Sequence, residues 1–538
     1  MFHPALIVAS AAAALLLRPR GTRAPADDVG GKPGDVGGGG VDVSASASAA
    51  VPTLGALPPP TPPPSLPGPP ATLTTLDLSR RDLTCLDALF PACPPKKPLY
   101  PRLEALDVSH NALTHLPAGL ATAAPRLARL NLQGTRHLAS LPSCIGDLAR
   151  LNLLGASQCG LTALPDSLGR CGRLEQLYVT ANALTALPAS LASCARLQKV
   201  QASFNPGLVD LGGLATGALP ALEMLRVACC GLRAFPPSLA RAPRLCWVSL
   251  ANNPAAASAP PPSTPATAVV PARDVTPGPY LGAGASGDVC VATLRPRGDL
   301  PATAALKTFR GDTGPDGRAA DEVSISRAVA HPALSRVLAI VRGKKRGGRA
   351  APPPALLLEL VRGTPLADRP TGKPLLRPHW RGGGERLDPV RALRVGAALA
   401  GGLAHLHAKG LAHGDFYAHN VLLCQSDEAS AGGGGQAPQP PSSPAVLVDF
   451  GAAFAYSTTP TPSAFPPWAF QAFEARALGL FLGELERHAL TRQVGAAGRW
   501  CASRALVRAS KACLAADPSA RPPLASVERE LLAVADKL

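Results

Sequence analysis

Between residues 73 and 250 the apolar positions recur in one fixed order. Leucines that open short L-x-x-L-x-[LV] strands fall at Leu73, Leu103, Leu127, Leu151, Leu174, Leu197, Leu222 and Leu245, at intervals of 23 to 30 residues. Amphipathic helices share some of this spacing, but near-equal periods that often end in Leu-Pro favour strands followed by tight turns. Leu103, Leu106, Val108, Leu113 and Leu116 are expected to point inward, with Asn111 and Asn182 bonding backbone in the turns. From about residue 276 the pattern changes. Val289–Ala292 reads as a strand returning from a glycine-rich turn, and Ala355–Leu360 as a buried strand. A helical pattern begins at Glu322 and stops at His331-Pro332, and a longer one covers Leu387–Lys409 before Gly410. Val421–Leu423 and Ala445–Val448 are short apolar runs, each next to polar residues.

Leu103–Pro117 (LEALDVSHNALTHLP) and Leu174–Pro188 (LEQLYVTANALTALP) resemble the leucine-rich repeat. That resemblance implies a curved α/β solenoid over residues 71–254, each unit stacked on its neighbours, with a concave strand face. The concave positions Glu104, Asp107, Glu175, Gln176, Tyr178, Gln198, Lys199, Gln201, Glu223 and Arg226 are polar and mixed in sign. They are expected to face solvent and to suit a protein partner better than lipid or polyanion.

Composition separates these regions. The chain has 538 residues, with 52 Gly and 60 Pro. Residues 1–70, rich in Gly, Pro, Ala and Ser, are expected to be disordered, and 255–275 to be a Pro-rich linker that holds two folded regions apart or lets them dock. The formal net charge of +17 is spread over repeat starts and loops without an aromatic-plus-basic stripe, which argues against nucleic acid. The 13 cysteines contain no C-x-x-C pair, so reduced thiols are expected, although Cys85 and Cys93 can bridge in an oxidising compartment. Ala5–Leu17, followed by arginines, resembles a targeting segment within residues 1–23 but is short for a membrane span. No apolar run long enough to span a bilayer separates the two regions, so a cytoplasmic protein is expected, with targeting or membrane association through the amino terminus as the alternative.

The region 276–538 resembles the eukaryotic-type protein kinases. Leu411–Leu423 (LAHGDFYAHNVLL) is similar to their catalytic loop H-R-D-x-x-x-x-N, and Val446–Gly451 (VLVDFG) to their D-F-G metal site. Gly282, Gly284 and Gly287 form G-x-G-x-x-G, which here leads into a strand, whereas a dinucleotide fingerprint opens a helix. Ala305-Leu306-Lys307 resembles V-A-I-K, and Glu322 stands at the helix glutamate. Leu358 corresponds to the gatekeeper and Glu359-Leu360-Val361 to the adenine hinge. Glu474–Leu485 and Cys513–Pro522 resemble two runs of the carboxyl lobe.

The resemblance implies an α+β bilobal fold and a kinase using ATP and Mg2+. Asp415 is then the catalytic base, Lys307 paired with Glu322 grips phosphate, and Asn420 and Asp449 hold metal. Gly282, Gly284, Gly287, Val289, Lys307, Glu359 and Val361 contact the nucleotide. Ser/Thr is the expected acceptor over Tyr, on a protein substrate. The chain also departs from the family. Gly414 replaces the arginine of H-R-D, Tyr417 a lysine that supports the transferred phosphate, and Glu474 the helix-F aspartate. No A-P-E lies between Asp449 and Glu474, which deprives Arg521 of its expected glutamate. A pseudokinase scaffold working through its solenoid is the alternative. Gly/Pro-rich inserts at Arg342–Pro354 and Gln425–Pro444 are expected to loop out.

Overall fold

The computed structural model describes residues 70–92, 97–216, 219–256, 268–284, 286–314, 316–342, 355–368, 379–380, 387–424, 443–458, 466–489 and 496–538. The amino-terminal segment, Cys93 and most of both inserts lie outside the described residues. No helix among the described residues is long and apolar enough to cross a membrane.

Eight three-residue strands form one parallel sheet in sequence order: β1 (Thr75–Asp77), β2 (Ala105–Asp107), β3 (Arg129–Asn131), β4 (Leu153–Gly155), β5 (Gln176–Tyr178), β6 (Lys199–Gln201), β7 (Met224–Arg226) and β8 (Trp247–Ser249). The middle residue of every strand is apolar and in register with the next: Leu76, Leu106, Leu130, Leu154, Leu177, Val200, Leu225 and Val248. This buried ladder is the core of a repeat solenoid, since no single repeat can cover its own apolar face. The inward residues expected from the sequence, Leu103, Leu106, Val108, Leu113 and Leu116, are all buried.

The turns are held by buried amides. Asn111 Nδ2 donates to the carbonyls of Leu78 and Val108, both at 2.8 Å, while its Oδ1 accepts from the N–H groups of Arg81 and Leu83 at 2.9 and 3.0 Å. Asn182 repeats the arrangement with Ala156, Val179, Cys159 and Leu161. Each amide thereby satisfies backbone groups that the turn takes out of water.

The carboxy-terminal half has two lobes. The first is a six-stranded sheet containing β9 (Ala268–Pro271), β10 (Val275–Ala283), β11 (Gly287–Leu294), β12 (Thr303–Phe309), β13 (Val337–Arg342) and β14 (Ala355–Leu358), in the order β10-β11-β12-β14-β13-β9. The helix α1 (Ala319–Ala328) belongs with it. The second lobe is built from α2 (Pro389–Ala408), α3 (Pro467–Ala489), α4 (Ala496–Cys513) and α5 (Leu524–Ala535). Asp388 caps α2 by accepting from Arg391 N–H at 2.9 Å. Gly410, at φ 65°, lets the chain turn away where a Cβ would lie 2.8 Å from Tyr456 O.

Two expectations are corrected. The expected linker does not run to residue 275, because 268–271 is a strand lying parallel to β13. Val270 is buried in that lobe's apolar core, which is reason enough for the segment to order. The concave face of the solenoid is also not uniformly solvated. Gln176 and Lys199 are only 4% and 6% exposed, and Arg226 is enclosed as well. For Lys199 and Arg226 the cause is direct packing of the last repeats against the lobes, where both line a chamber shared with Asp415 and Asp449. Gln176 Oε1 accepts from the Tyr178 hydroxyl at 2.7 Å within the solenoid.

That interface is apolar as well as polar. The solenoid core extends into Ala412, Phe454, Tyr456, Phe470 and Phe473, while Met224, Cys246 and Trp247 belong to the core of the helical lobe. Phe235 meets Phe470 with ring centroids 6.0 Å apart, and Trp247 stacks on Tyr417 at 4.4 Å with the rings 7° from parallel. Trp247 Nε1 donates to Phe416 O at 3.0 Å, and Ser249 Oγ to Asp316 O at 2.8 Å. Arg521 donates to Ala472 O at 2.8 Å and across the interface to Pro243 O at 2.6 Å. Burial, reinforced by the charge of Arg476, lowers its pKa to about 10 against the pull of Asp517.

Solenoid and lobes should therefore melt as one unit. Trp247→Ala removes a buried indole and its hydrogen bond, costing about 3–5 kcal/mol. Differential scanning calorimetry of the full chain should show one transition for wild type and two for the variant.

Candidate active site

The glycine-rich turn joins β10 to β11, with Ala283 opposite Asp288 and Gly284 N–H donating to Gly287 O at 2.7 Å. Gly287 is sterically required, because a Cβ there would lie 2.2 Å from Thr308 O on β12. Gly282 faces open space. Along β12, Lys307 pairs with Val289, so the amine projects under the turn. Glu322 reaches it from α1, and the Nζ–Oε1 pair is buried. The same Nζ donates to Asp449 Oδ1 at 2.9 Å. Burial alone would lower the Lys307 pKa, but the carboxylates of Asp449 and Glu322 more than reverse this and raise it. Asp449 stands at φ 67°, a left-handed conformation uncommon for a residue with a Cβ.

Asp415 and Asn420 share a tight segment. Asn420 Nδ2 donates to Asp415 O at 2.9 Å and lies 3.4 Å from Asp415 Oδ2, which leaves the amide oxygen as its ligating atom. His413 is buried against the Phe450 ring, 5.1 Å between centroids. Glu474, on α3, accepts from Gly414 N–H at 2.8 Å and pairs with His407 Nε2 at 2.7 Å. Burial opposes its charge, but the bond from His407, the charges of His407 and His413 and the Gly414 N–H hold its pKa below the usual glutamate value. The longer arm therefore still fastens the loop to the helix.

The site residues named from the sequence surround two adjoining spaces. Gly282, Gly284, Val289, Lys307, Glu359, Val361, Asn420 and Asp449 line a cleft of about 350 Å³, with Leu281, Ala305, Leu358 and Leu422 supplying apolar walls. That volume and lining suit a flat heteroaromatic base with a polar tail. Glu359 N–H is already committed to Arg336 O at 2.9 Å, so only its carbonyl is left for a ligand. Asp415 and Glu322 instead face a neighbouring chamber of about 250 Å³, which Asn420 and Asp449 also line. Gly287 lines neither space. Asp449 and Asn420 thus stand at the junction, and both offer hard oxygen donors of the kind magnesium takes.

The chamber contains residues that sequence reasoning did not include. Arg226 of β7 donates from Nη2 to Asp415 Oδ1 at 2.7 Å and pairs through Nη1 with Asp316. Lys199 of β6 lines the same space. Burial, reinforced by the charge of Arg226, lowers its pKa to about 8 against the pull of Glu223 and Asp415. Gly414 sits at φ 75°, and a Cβ there would lie 2.7 Å from both Ala452 O and Val248 O. Both departures in the catalytic loop, Gly414 and Tyr417, therefore face the solenoid. They are the one sequence signal that pointed toward it. On the solenoid's far end, Cys85 is a free thiol that donates to Asp87 Oδ2 at 3.0 Å.

Residues 275–439 match the family described as protein tyrosine and serine/threonine kinase. The chain is also similar to the serine/threonine-protein kinase PkaB of Streptomyces coelicolor, at 38% identity over 99 residues. That match covers 18% of this chain and 19% of the relative's length. The carboxy-terminal half carries a protein kinase domain, preceded by a parallel-sheet repeat solenoid.

Lys199 gives this site a measurable pH signature. Its folded pKa of about 8 lies below the ordinary lysine value of 10.5, so the unfolded chain binds more protons between the two. Stability from this group should rise as pH climbs from about 8 toward 10.5. Lys199→Met removes the buried charge, and urea melts should find it about 1–3 kcal/mol more stable than wild type at pH 7. The gap should narrow steadily above pH 8.

Proposed function

We propose that this chain is an ATP- and magnesium-dependent protein kinase, with leucine-rich repeats at its front that recruit protein partners. The observation that carries the reading is the amine of Lys307, which lines the base-sized cleft and is buried between the carboxylates of Glu322 and Asp449, both of which line the Asp415 chamber. A lysine held in that way is a preformed grip for phosphate oxygens, and the two carboxylates fix its position before the nucleotide arrives.

The apolar walls take the adenine, with the Glu359 carbonyl and Val361 backbone at its edge. Gly282 and Gly284 bring backbone close to the phosphates. Magnesium, when bound, screens the phosphate charge, and Asp449 with the Asn420 amide oxygen are its ligands. Asp415 orients the acceptor hydroxyl and takes its proton. The hydroxyl oxygen bonds to the γ-phosphorus as the bond to the bridging oxygen breaks, and ADP leaves with that electron pair. Asp415 Oδ1 is engaged by Arg226 at 2.7 Å, so Oδ2, which Asn420 Nδ2 approaches only to 3.4 Å, is the oxygen left for this task.

Serine or threonine is the proposed acceptor over tyrosine, in keeping with the relative's name. A scaffold that binds ATP without transferring phosphate is the second reading, and the Arg226–Asp415 pair is the observation that favours it. Asp415→Asn separates the two. In the full chain with Mg-ATP, the kinase reading expects autophosphorylation to fall about 10²–10⁴-fold while the ATP-induced thermal shift survives. Equal incorporation by both proteins removes Asp415 from the chemistry.

A further inference from the structure

The catalytic loop offers no lysine or arginine of its own beside Asp415. Position 414 is glycine and position 417 is a tyrosine whose buried ring is used up in stacking on Trp247. Transfer of a phosphoryl group moves negative charge through this space, and a fixed positive group beside it lowers the barrier. A guanidinium is nevertheless present. Arg226 reaches Asp415 from β7 across 189 residues of sequence. Its side chain is only 14% exposed and is held between Asp415 and Asp316, so little reorganisation remains to be done during reaction. Its Nε–H has no acceptor among the described residues, which leaves one donor of the fork unclaimed.

We infer that Arg226 is the cation bonded to Asp415 at the phosphoryl-transfer site, supplied by the solenoid in place of the one the catalytic loop lacks, and that solenoid and kinase lobes form a single catalytic unit. Arg226 is a positioning residue for Asp415. It binds Oδ1, turns Oδ2 toward the acceptor hydroxyl, and places its positive charge beside the transferring group. The inference rests on the kinase reading above.

A removable plug would present the same ion pair, but three observations favour a permanent part. The two units share apolar cores, with Trp247 inside one and Phe470 inside the other. The backbone at Gly414 is shaped around Val248 O. A chamber of about 250 Å³ remains between Arg226, Asp415 and Asp449, so the docked solenoid does not fill the site.

The test uses the full chain with Mg-ATP and a generic protein acceptor, comparing wild type, Arg226→Met and Arg226→Lys. Arg226→Met should lose about 10²-fold in kcat with KM for ATP unchanged. Arg226→Lys should retain most of the rate, and guanidinium at non-denaturing concentration should partly restore Arg226→Met. If the apolar variant does not fold, Arg226→Gln, which keeps hydrogen bonding without charge, replaces it with the same expectation. A higher kcat in Arg226→Met overturns the inference and makes the contact a plug. Equal losses in Met and Lys variants with no response to guanidinium overturn it in favour of a packing role. A wild-type chain that shows an ATP thermal shift but no transfer fails the kinase reading itself, and this inference falls with it.

Discussion

The carbonyl oxygen of Val248 lies 2.7 Å from the point where any side chain on residue 414 would begin. Much of the active site follows from that close approach. Backbone at this distance excludes a side chain, so the catalytic loop carries glycine where the kinases it resembles carry arginine. Three residues along that loop, Tyr417 is aromatic and lies flat on Trp247. The geometry that removes two positive charges from the loop also brings β7 near enough for Arg226 to reach Asp415. Loss and replacement are two results of one packing arrangement.

Charge is concentrated here in a way that burial would punish if the groups were unpaired. Two buried cations, Lys307 and Arg226, each lie between two acids: Glu322 and Asp449 for the first, Asp316 and Asp415 for the second. Each acid therefore has a fixed neighbour and each cation a fixed direction. Such arrangements contribute little net stability compared with apolar packing, since desolvation offsets most of the attraction. Their value is geometric. They keep side chains from five separate stretches of chain oriented around one junction.

The solenoid was legible in the sequence because its order is local. Leu106, Leu130 and Leu154 each announce a strand within their own repeat, and stacking follows from the shared period. The same holds for Asp415 with Asn420, five residues apart, and for Lys307 with Glu322, whose strand and helix are each marked by local patterning. Arg226, Lys199 and Asp316 were not legible as site residues. On their own elements they are ordinary polar positions, and their importance arises only when elements distant in sequence meet. Position 268 escaped for a related reason: a proline-rich stretch reads as a connector, yet Val270 finds an apolar core waiting on the neighbouring strand. Gly414 and Tyr417 were visible as departures, but a departure tells what a loop has lost and leaves open what restores it.

The solenoid meets the lobes through its last three strands and the loops that follow them, and this sets a limit on how the molecule can grow. Each repeat advances the sheet by about 4.8 Å. A unit duplicated ahead of β5 would lengthen the free end and leave Arg226 in place, because repeats interact mainly with their neighbours. A unit duplicated between β7 and β8 would carry the guanidinium one strand spacing from Asp415, farther than a hydrogen bond spans. Expansion and contraction of the array are thus tolerated toward the amino terminus, while the carboxy-terminal three repeats are fixed in number by the chemistry they serve.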